Sequence, residues 1–318
     1  MRWESLGQAT ALAFNLGSAL ATIIANKHVL TLLPYPAALT ALHYVCSCVA
    51  TTSLLVLGVF TRGTVMPEHR RSFWTLVVAW AVCNALSNAS LGANSVGFYQ
   101  LMKVLTTPAV VVVDRLWHGK GITLGRATIL GLACCGIAGA TVYDVQLNLR
   151  GSLLALASVA TGLVQKTFNE HMQQRGGLSS LQLMHAAFPW MAIIGLGLVP
   201  LLDPPGVFSV APTPMLLLLL GCSCVAAVCI NFSTTLVLGV TSALALVLLG
   251  QLKTCGTLLA GILFFDAPPN AKVAAGSATA IGCIAWYTFL KMGDGRRSES
   301  VETSAQPLLE PRKGSDSI

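Results

Sequence analysis

Long apolar runs, separated by short charged or Gly- and Pro-rich stretches, dominate the chain between residues 6 and 291. A helix needs about 20 apolar residues to cross a bilayer, and breaks at charges and at Gly/Pro clusters delimit the runs. The pattern predicts ten spanning helices, at 6–26, 38–60, 73–92, 95–116, 124–143, 151–170, 181–201, 214–236, 241–265 and 273–291. Residues 293–318 are rich in serine and charge, and we expect a disordered tail there.

The composition supports a polytopic membrane protein with little soluble mass. Hydrophobic residues make up 54% of the chain and charged residues 10%, whereas soluble domains carry roughly 25% charged residues. No small-residue cleavage site closes the first apolar run, so we predict an uncleaved first span rather than a signal peptide. The 10 cysteines all lie in apolar segments, where cysteine packs as a small apolar residue. We therefore expect no disulfide, no metal site and no cofactor.

The basic residues predict which side of the membrane holds the termini. An even number of spans places both termini on one side, and that side carries 14 of the 19 lysines and arginines. The opposite side carries three, Lys27, Arg150 and Lys272. Basic residues collect in cytosolic loops, so we expect both termini in the cytosol. Topology thus accounts for the net charge of +7, and nucleic acid is not an expected partner.

Two lysines, Lys103 and Lys253, lie near the middle of predicted spans. A lysine at the centre of a spanning helix costs about 2.5–3.5 kcal/mol unless something compensates. Lys103 lies roughly eight residues, or ~12 Å, from the nearer end of its span, too deep for comfortable contact with the headgroups. The sequence places no carboxylate at this depth. We predict that an anionic substrate supplies the counter-charge, with a purely structural role as the alternative.

Polar side chains accompany Lys103 along the sequence. Gln100 and Thr107 share its helix face, because they lie three residues before it and four after it. Upstream, Asn88-Ala-Ser90 closes the third predicted span, and a matching Asn231-Phe-Ser233 occurs in the eighth. We expect both triplets to supply polar groups at helix ends.

The segments around the two lysines echo each other five spans apart. Gln100-Leu-Met-Lys103 in the fourth span corresponds to Gln251-Leu-Lys253 in the ninth. A repeat of five spans forces the two halves into opposite orientations, and such inverted repeats place a transport site near the membrane midplane. We predict an all-α membrane protein with ten transmembrane helices in two inverted five-helix repeats. The first repeat would be 1–146 and the second 147–292, with 293–318 as a disordered cytosolic tail.

Two motifs carry a family resemblance that covers about residues 10–291. One runs from Asn88 through Asn94 and Tyr99 to Lys103, and the other is Gly250-Gln-Leu-Lys253-Thr254. The chain resembles the nucleotide-sugar and triose-phosphate translocator family of the drug/metabolite transporter superfamily. Its Lys-Thr pair is similar to that of a subgroup of largely Golgi carriers of UDP-sugars. The resemblance implies ten helices in two inverted halves and a transporter, not an enzyme.

The resemblance also implies how the substrate is held. Plastid phosphate translocators are similar at both lysines but surround the phosphate with further His, Tyr and Lys-Arg groups, where this sequence has Asn84, Ile230 and Thr254. This departure favours a larger nucleotide ligand. We expect the lysines to bind phosphate, with hydrogen bonds and nucleobase or sugar contacts from their neighbours. The predicted substrate-binding residues are Lys103, Lys253, Thr254, Tyr99, Gln100, Thr107, Asn94 and Asn88.

We therefore predict a nucleotide-sugar transporter that exchanges a cytosolic UDP-sugar for lumenal nucleoside monophosphate by alternating access, in the bilayer of the Golgi or ER. A homodimer is one possible assembly. The alternative is a translocator of small organic phosphates (triose phosphate, pentose phosphate or phosphoenolpyruvate) in exchange for phosphate. A proton-coupled cation exporter would need a membrane carboxylate, and His43 is the one credible proton site. A membrane-embedded enzyme and a non-transporting scaffold are further alternatives, and a competition panel of nucleotide sugars discriminates among all of these.

Overall fold

The computed structural model describes residues 2–95, 123–142, 148–206 and 213–240, with parts of 98–109 and 271–290. This part of the chain contains helices and turns and no strand. A 3-10 helix, Pro67–His69, precedes the third helix. The seven long helices are α1 (Arg2–Leu32), α2 (Pro36–Val56), α3 (Arg70–Ala93), α4 (Leu124–Val142), α5 (Leu149–Gln174), α6 (Ser180–Leu202) and α7 (Pro214–Val240).

The helices coincide with predicted apolar runs. Four segments are long and apolar enough to cross a membrane: Pro36–Val56, Pro67–Ala93, Ser180–Leu202 and Pro214–Val237. The chain is therefore an all-helical, multi-pass membrane protein across its described residues. The predicted fourth span is described only in part, and the ninth, 241–265, lies outside the described residues. The count of ten helices, the inverted repeat and the division at residue 146 thus stay predictions.

Local sequence signals set the boundary between α5 and α6. Asn148 accepts hydrogen bonds from two backbone N–H groups in the first turn of α5. Ser179 and Gln182 form a capping box at the start of α6, which satisfies backbone donors that a helix start leaves without partners. Gly177 joins the helices with a φ of 66°, a left-handed conformation that favours glycine. The connection is short for these reasons.

The long helices pack mainly in pairs, α3 with α5, α1 with α7, and α2 with α6. Small residues permit close approach between membrane helices. A Cβ added at Gly195 of α6 would lie 3.2 Å from the Cα of Ala41 in α2. Aromatic rings fill the space between α2, α3 and α6, with Phe188 5.6 Å from Trp80 and 6.2 Å from Tyr44 between ring centroids. These rings join α2, α3 and α6 in one core.

Buried polar side chains join helices that are distant in sequence. Asn26 donates to Asn88 at 3.0 Å, and Asn88 donates to Thr40 at 2.9 Å, which links α1, α3 and α2. His43 of α2 is buried and shares a 2.8 Å hydrogen bond with Ser223 of α7. A hydrogen bond between membrane helices contributes about 0.6–2 kcal/mol. These bonds fix how the helices are rotated against one another.

The triplet Asn231-Phe-Ser233 does not lie at a helix end, so that prediction was wrong. It lies inside α7, which continues to Val240. The helix continues because other helices satisfy its polar side chains: Asn15 donates to Ser233 at 2.9 Å, and Asn231 lies 3.5 Å from the hydroxyl of Ser47. The matching Asn88-Ala-Ser90 lies close to the end of α3 at Ala93. One triplet therefore joins helices within the bundle, and the other lies near a helix end.

Candidate functional site

Lys103 lies on the fourth segment, the described residues between 98 and 109, which packs inside the helix assembly. Phe98 and Met102 of this segment pack against Ala155 of α5. Tyr99 is 4% exposed and packs among aliphatic side chains of α1, α2 and α3. The backbone that carries Lys103 therefore lies between α5 on one side and α1, α2 and α3 on the other. The side chain of Lys103 itself is half-buried.

The closest described partner of Lys103 is an aromatic ring. Its Nζ lies 4.4 Å from the centroid of the Tyr99 ring. A cation–π contact contributes about 0.5–2 kcal/mol, less than the roughly 2.5–3.5 kcal/mol that a central lysine costs. The ring carries no net negative charge, so the compensation is incomplete.

No carboxylate of the described residues pairs with Lys103. Two carboxylates have described side chains, and both lie elsewhere. Glu68 belongs to the 3-10 helix before α3. Asp203, at the end of α6, accepts hydrogen bonds from the backbone N–H groups of Ala37 and Ala38, each at 2.8 Å. Within the described part of the chain, the charge of Lys103 has no protein counter-ion.

Asn94 and Asn88 occupy different environments at the far end of α3. Asn88 is hydrogen-bonded to α1 and α2, as described above, and serves their packing. Asn94 is 1% exposed and donates from Nδ2 to the backbone oxygen of Ser90 at 3.0 Å, but its Oδ1 has no hydrogen-bond partner among the described residues. A buried acceptor without a partner costs about 1–3 kcal/mol. Of these two asparagines, Asn94 has the acceptor without a described partner, and its amide packs against Gly151 of α5.

Lys27, which the sequence predicts just outside the first span, binds backbone oxygens at the end of α3, including that of Asn94. Its Nζ donates to the backbone oxygens of Leu91 at 2.9 Å and Asn94 at 2.7 Å. The last carbonyls of a helix lack partners within the helix, and the helix dipole favours a cation there. Lys27 therefore caps the end of α3 and ties it to α1.

A further lysine, Lys166, lies on α5, the helix that packs against α3. Cys83 of α3 donates to the backbone oxygen of Ser158 in α5 at 3.4 Å, which joins the two helices. Lys166 is one of the 14 basic residues that the sequence predicts on the side of the termini. In the structure α5 extends to Gln174, so Lys166 lies two turns inside a helix.

Other predicted site residues lie outside the described residues: Lys253, Thr254, Gln100 and Thr107. Their roles stay predictions. A broad groove between α3 and α5 is lined by apolar side chains such as Trp74, Val78 and Val164, which suits lipid rather than an anion. The described part of the predicted site is thus Lys103 on Tyr99, with Asn94 near the end of α3.

Comparison with known proteins identifies the family. The chain matches the Triose-phosphate Transporter family over residues 11–288. It is 32% identical over 309 residues to Nucleotide-sugar uncharacterized transporter 1 of Arabidopsis thaliana, covering 94% of this chain and 76% of that protein. It is 31% identical over 299 residues to UDP-xylose transporter 1 of the same plant, covering 91% and 85%.

The fold is shared with a protein of known crystal structure. That structure is 17% identical in sequence, has a TM-score of 0.59, and covers 88% of this chain and 98% of its own. The family and the relatives named above are transporters, not enzymes. Together with the apolar helices of this chain, the match over residues 11–288 shows that this multi-pass membrane protein belongs to the triose-phosphate transporter family.

Proposed function

We propose that this protein is a nucleotide-sugar transporter that exchanges a cytosolic UDP-sugar for a lumenal nucleoside monophosphate. The observation that carries the proposal is Lys103, a cation inside the helix assembly that has an aromatic ring but no described carboxylate beside it. Relatives about 30% identical are named as transporters of UDP-xylose and of UDP-rhamnose and UDP-galactose. These names favour a uridine nucleotide as the anion.

The phosphate groups are bound by Lys103 together with Lys253, its counterpart in an inverted second repeat. Lysine offers a compact charge with three rotatable donors, which suits phosphates that shift during transport. Thr254, Thr107 and Gln100 supply further hydrogen bonds. The unpaired Oδ1 of Asn94 accepts a hydrogen bond from a sugar hydroxyl or a nucleobase N–H, and Tyr99 orients the ammonium of Lys103.

Exchange, rather than one-way transport, follows from the same charges. In the ten-helix arrangement of two inverted repeats, alternating access moves the site from one face of the membrane to the other. With no anion bound, the two ammonium groups would have to pass a closed, dry state without a counter-ion. A bound anion stabilises that state and so permits reorientation. A nucleoside monophosphate carries enough charge to serve on the return step.

The proposed orientation places both termini in the cytosol and the monophosphate in the lumen of the Golgi or ER. The basis is the excess of basic residues on the side of the termini, 14 against three. A second copy of the chain could pack against the lipid-facing surface as a homodimer. The alternative function, exchange of a small organic phosphate for phosphate, draws support from the name of the family, which is that of triose-phosphate transporters.

Exchange in proteoliposomes tests the proposal. Purified protein is reconstituted into vesicles that are empty or preloaded with UMP or with inorganic phosphate, and uptake of labelled UDP-xylose, UDP-galactose, GDP-mannose and triose phosphate is measured. We expect UDP-sugar uptake into UMP-loaded vesicles and little into empty ones. Uptake of triose phosphate into phosphate-loaded vesicles, without UDP-sugar exchange, would instead establish the alternative.

A folded variant separates specific exchange from leak. Lys103→Gln should abolish UDP-sugar uptake while the variant elutes as a single species in detergent. The matched control is Thr75→Val, whose hydroxyl bonds its own helix backbone at an exposed position and should leave exchange unchanged. Equal uptake by Lys103→Gln and the control would show that Lys103 does not bind the substrate.

A further inference from the structure

Two residues, Asn94 and Ser95, connect α3 to the fourth segment, and we call them the α3 corner. Asn94 follows the last residue of α3 with an extended backbone, at φ −123° and ψ 167°. The Oγ of Ser95 accepts a hydrogen bond from the N–H of Phe98 at 3.1 Å, as the first residue of a helical turn does. Its backbone oxygen accepts from the N–H of Tyr99 at 3.0 Å. The position of the α3 corner therefore sets the position of the helical turn that leads to Lys103.

The α3 corner is held from two sides. From α1, the Nζ of Lys27 donates to the backbone oxygens of Leu91 at 2.9 Å and of Asn94 at 2.7 Å. From α5, Gly151 packs against the amide of Asn94, and the backbone oxygen of Gly151 accepts from the hydroxyl of Ser90 at 3.1 Å. Because Lys27 binds main-chain atoms, it fixes the path of the backbone where α3 ends.

The same end of α1 also packs around the ring beside Lys103. Val29 and Leu30 are 0% and 5% exposed and belong to one buried cluster with Tyr99. The Nζ of Lys103 lies 4.4 Å from the centroid of the Tyr99 ring. The last two turns of α1 thus hold both the start of the helical turn, through Lys27, and the ring that it carries. A shift of the α3 corner relative to α1 therefore moves Lys103.

We propose that Lys27 is a positioning residue for transport, which holds the α3 corner so that Lys103 and Asn94 bind the same substrate. The inference rests on the proposed function, in which these two residues bind a UDP-sugar. Lys27 does not touch the substrate and acts through the backbone of Asn94. A binding site needs its groups held within about 0.5 Å of their working positions, so release of the α3 corner weakens binding in a protein that remains folded.

Asn15 provides a control for a purely structural effect, because it makes a comparable contact elsewhere on α1. It donates to Ser233 at 2.9 Å and to Thr234 at 3.1 Å, both on α7. It precedes Lys27 by 12 residues, or ~18 Å along the helix. Asn15→Ala and Lys27→Gln each remove two hydrogen bonds from α1, so each should lower the unfolding temperature in detergent. Only Lys27→Gln should also weaken substrate binding.

The test compares exchange kinetics of Lys27→Gln, Lys27→Arg and Asn15→Ala in UMP-loaded vesicles. We expect Lys27→Gln to raise the half-saturating UDP-sugar concentration about 2- to 30-fold, whereas Asn15→Ala should stay within about two-fold of the parent protein. Lys27→Arg keeps a cation with donors for both backbone oxygens, and its half-saturating concentration should lie closer to that of the parent protein than to that of Lys27→Gln. Equal half-saturating concentrations in Lys27→Gln and Asn15→Ala would show that Lys27 is only structural and would overturn the proposal.

The double variant Lys27→Gln/Tyr99→Leu tests whether Lys27 acts through the fourth segment. Residues of one contact network have non-additive effects. The half-saturating concentration of the double variant should therefore rise by less than the product of the two single effects. A rise equal to that product would mean that Lys27 acts independently of the Tyr99 ring, for example by touching the substrate, and would refute the positioning role.

Gly151→Ala moves the α3 corner without changing Lys27, and it decides the question if Lys27→Gln does not fold. A Cβ at this position would occupy space that the amide of Asn94 fills, so the variant should raise the half-saturating UDP-sugar concentration. The matched control is Gly17→Ala on α1, where a Cβ would meet no atom within 4 Å. A folded Gly151→Ala that binds UDP-sugar as tightly as this control would contradict the proposal.

Failure of the proposed function is distinguishable from failure of this inference. If the parent protein exchanges triose phosphate for phosphate but no UDP-sugar, the proposed function fails. The same variants are then compared with triose phosphate, because the α3 corner positions Lys103 for any phosphate. A higher half-saturating concentration in Lys27→Gln than in Asn15→Ala would still support the positioning role, and equal values would refute it.

Discussion

Replacing Lys103 with glutamine should leave the ligand-free protein as stable as before, or make it more stable. A central lysine costs about 2.5–3.5 kcal/mol, and its contact with Tyr99, 4.4 Å from Nζ to the ring centroid, returns about 0.5–2 kcal/mol. The difference leaves a net cost of roughly 0.5–3 kcal/mol in the ligand-free state. Glutamine removes the charge and keeps hydrogen-bonding capacity, so the variant should gain stability within that range.

Thermal unfolding in detergent, without and with UDP, measures this effect. Lys103→Gln should unfold at a temperature equal to or above that of the parent protein without ligand. With UDP, the parent protein should gain stability and the variant should not, because a ligand stabilises the folded state only in proportion to its binding. Loss of exchange together with retained stability would mark Lys103 as a substrate ligand.

Lys27→Gln provides the opposite control. Lys27 donates to the backbone oxygens of Leu91 and Asn94, and its loss leaves two carbonyls at a helix end without that partner. An unsatisfied buried group costs about 1–3 kcal/mol, so Lys27→Gln should lower the unfolding temperature. If Lys103→Gln were destabilised as much as Lys27→Gln, Lys103 would be a structural residue and the reasoning from its missing counter-ion would be refuted.

Three further variants test contacts of the described residues. Tyr99→Leu should lower UMP-driven UDP-sugar uptake about 2- to 30-fold, because the ring holds the ammonium of Lys103. Tyr99→Phe keeps the ring and should lower the same uptake less. Asn15→Ala removes the bonds to Ser233 and Thr234 and should lower the free energy of unfolding by about 1–2 kcal/mol; an unchanged unfolding temperature would contradict this. Burial raises the pKa of the Asp203 carboxyl, so its stabilising contribution is present below about pH 3.9 and is lost as the pH rises through the folded-state pKa. The unfolding temperature of the parent protein minus that of Asp203→Asn should therefore fall as the pH rises above about 4, and a constant difference would contradict the shift.

The sequence predicted the helices well because the length of an apolar run reports the thickness of the bilayer. Helix ends were less certain, because polar residues can extend a helix beyond the membrane. In α5, Gln173 donates to Asn169 at 2.7 Å, one turn earlier, and the helix continues to Gln174. The predicted span therefore ended at residue 170, four residues before the helix does. Partners from distant helices, such as Asn15 for Ser233, could not be predicted from one sequence.

The spacing of Lys103 and Tyr99 could have predicted the contact between them. The two residues are four apart, the spacing at which helical side chains meet. The lack of a carboxylate at its depth singled out Lys103, whereas Tyr99 was predicted only as a contact for nucleobase or sugar. A ring beneath an ammonium is a third way of compensating a buried charge, besides an ion pair and contact with the headgroups. The cation–π contact compensates only part of the cost of the buried charge, so we still predict an anionic ligand at Lys103.

The half-buried charges among the described residues differ in how well the protein itself satisfies them. Lys27 reaches two backbone oxygens at a helix end, and Asp203 accepts from two backbone N–H groups at a helix start. Each of these charges therefore faces the complementary end of a helix dipole, as a structural role requires. Among the described residues, Lys103 has only a ring beside it. A chain that supplies two hydrogen bonds to Lys27 and to Asp203, yet no described carboxylate to Lys103, fits the proposal of an anion that arrives from outside.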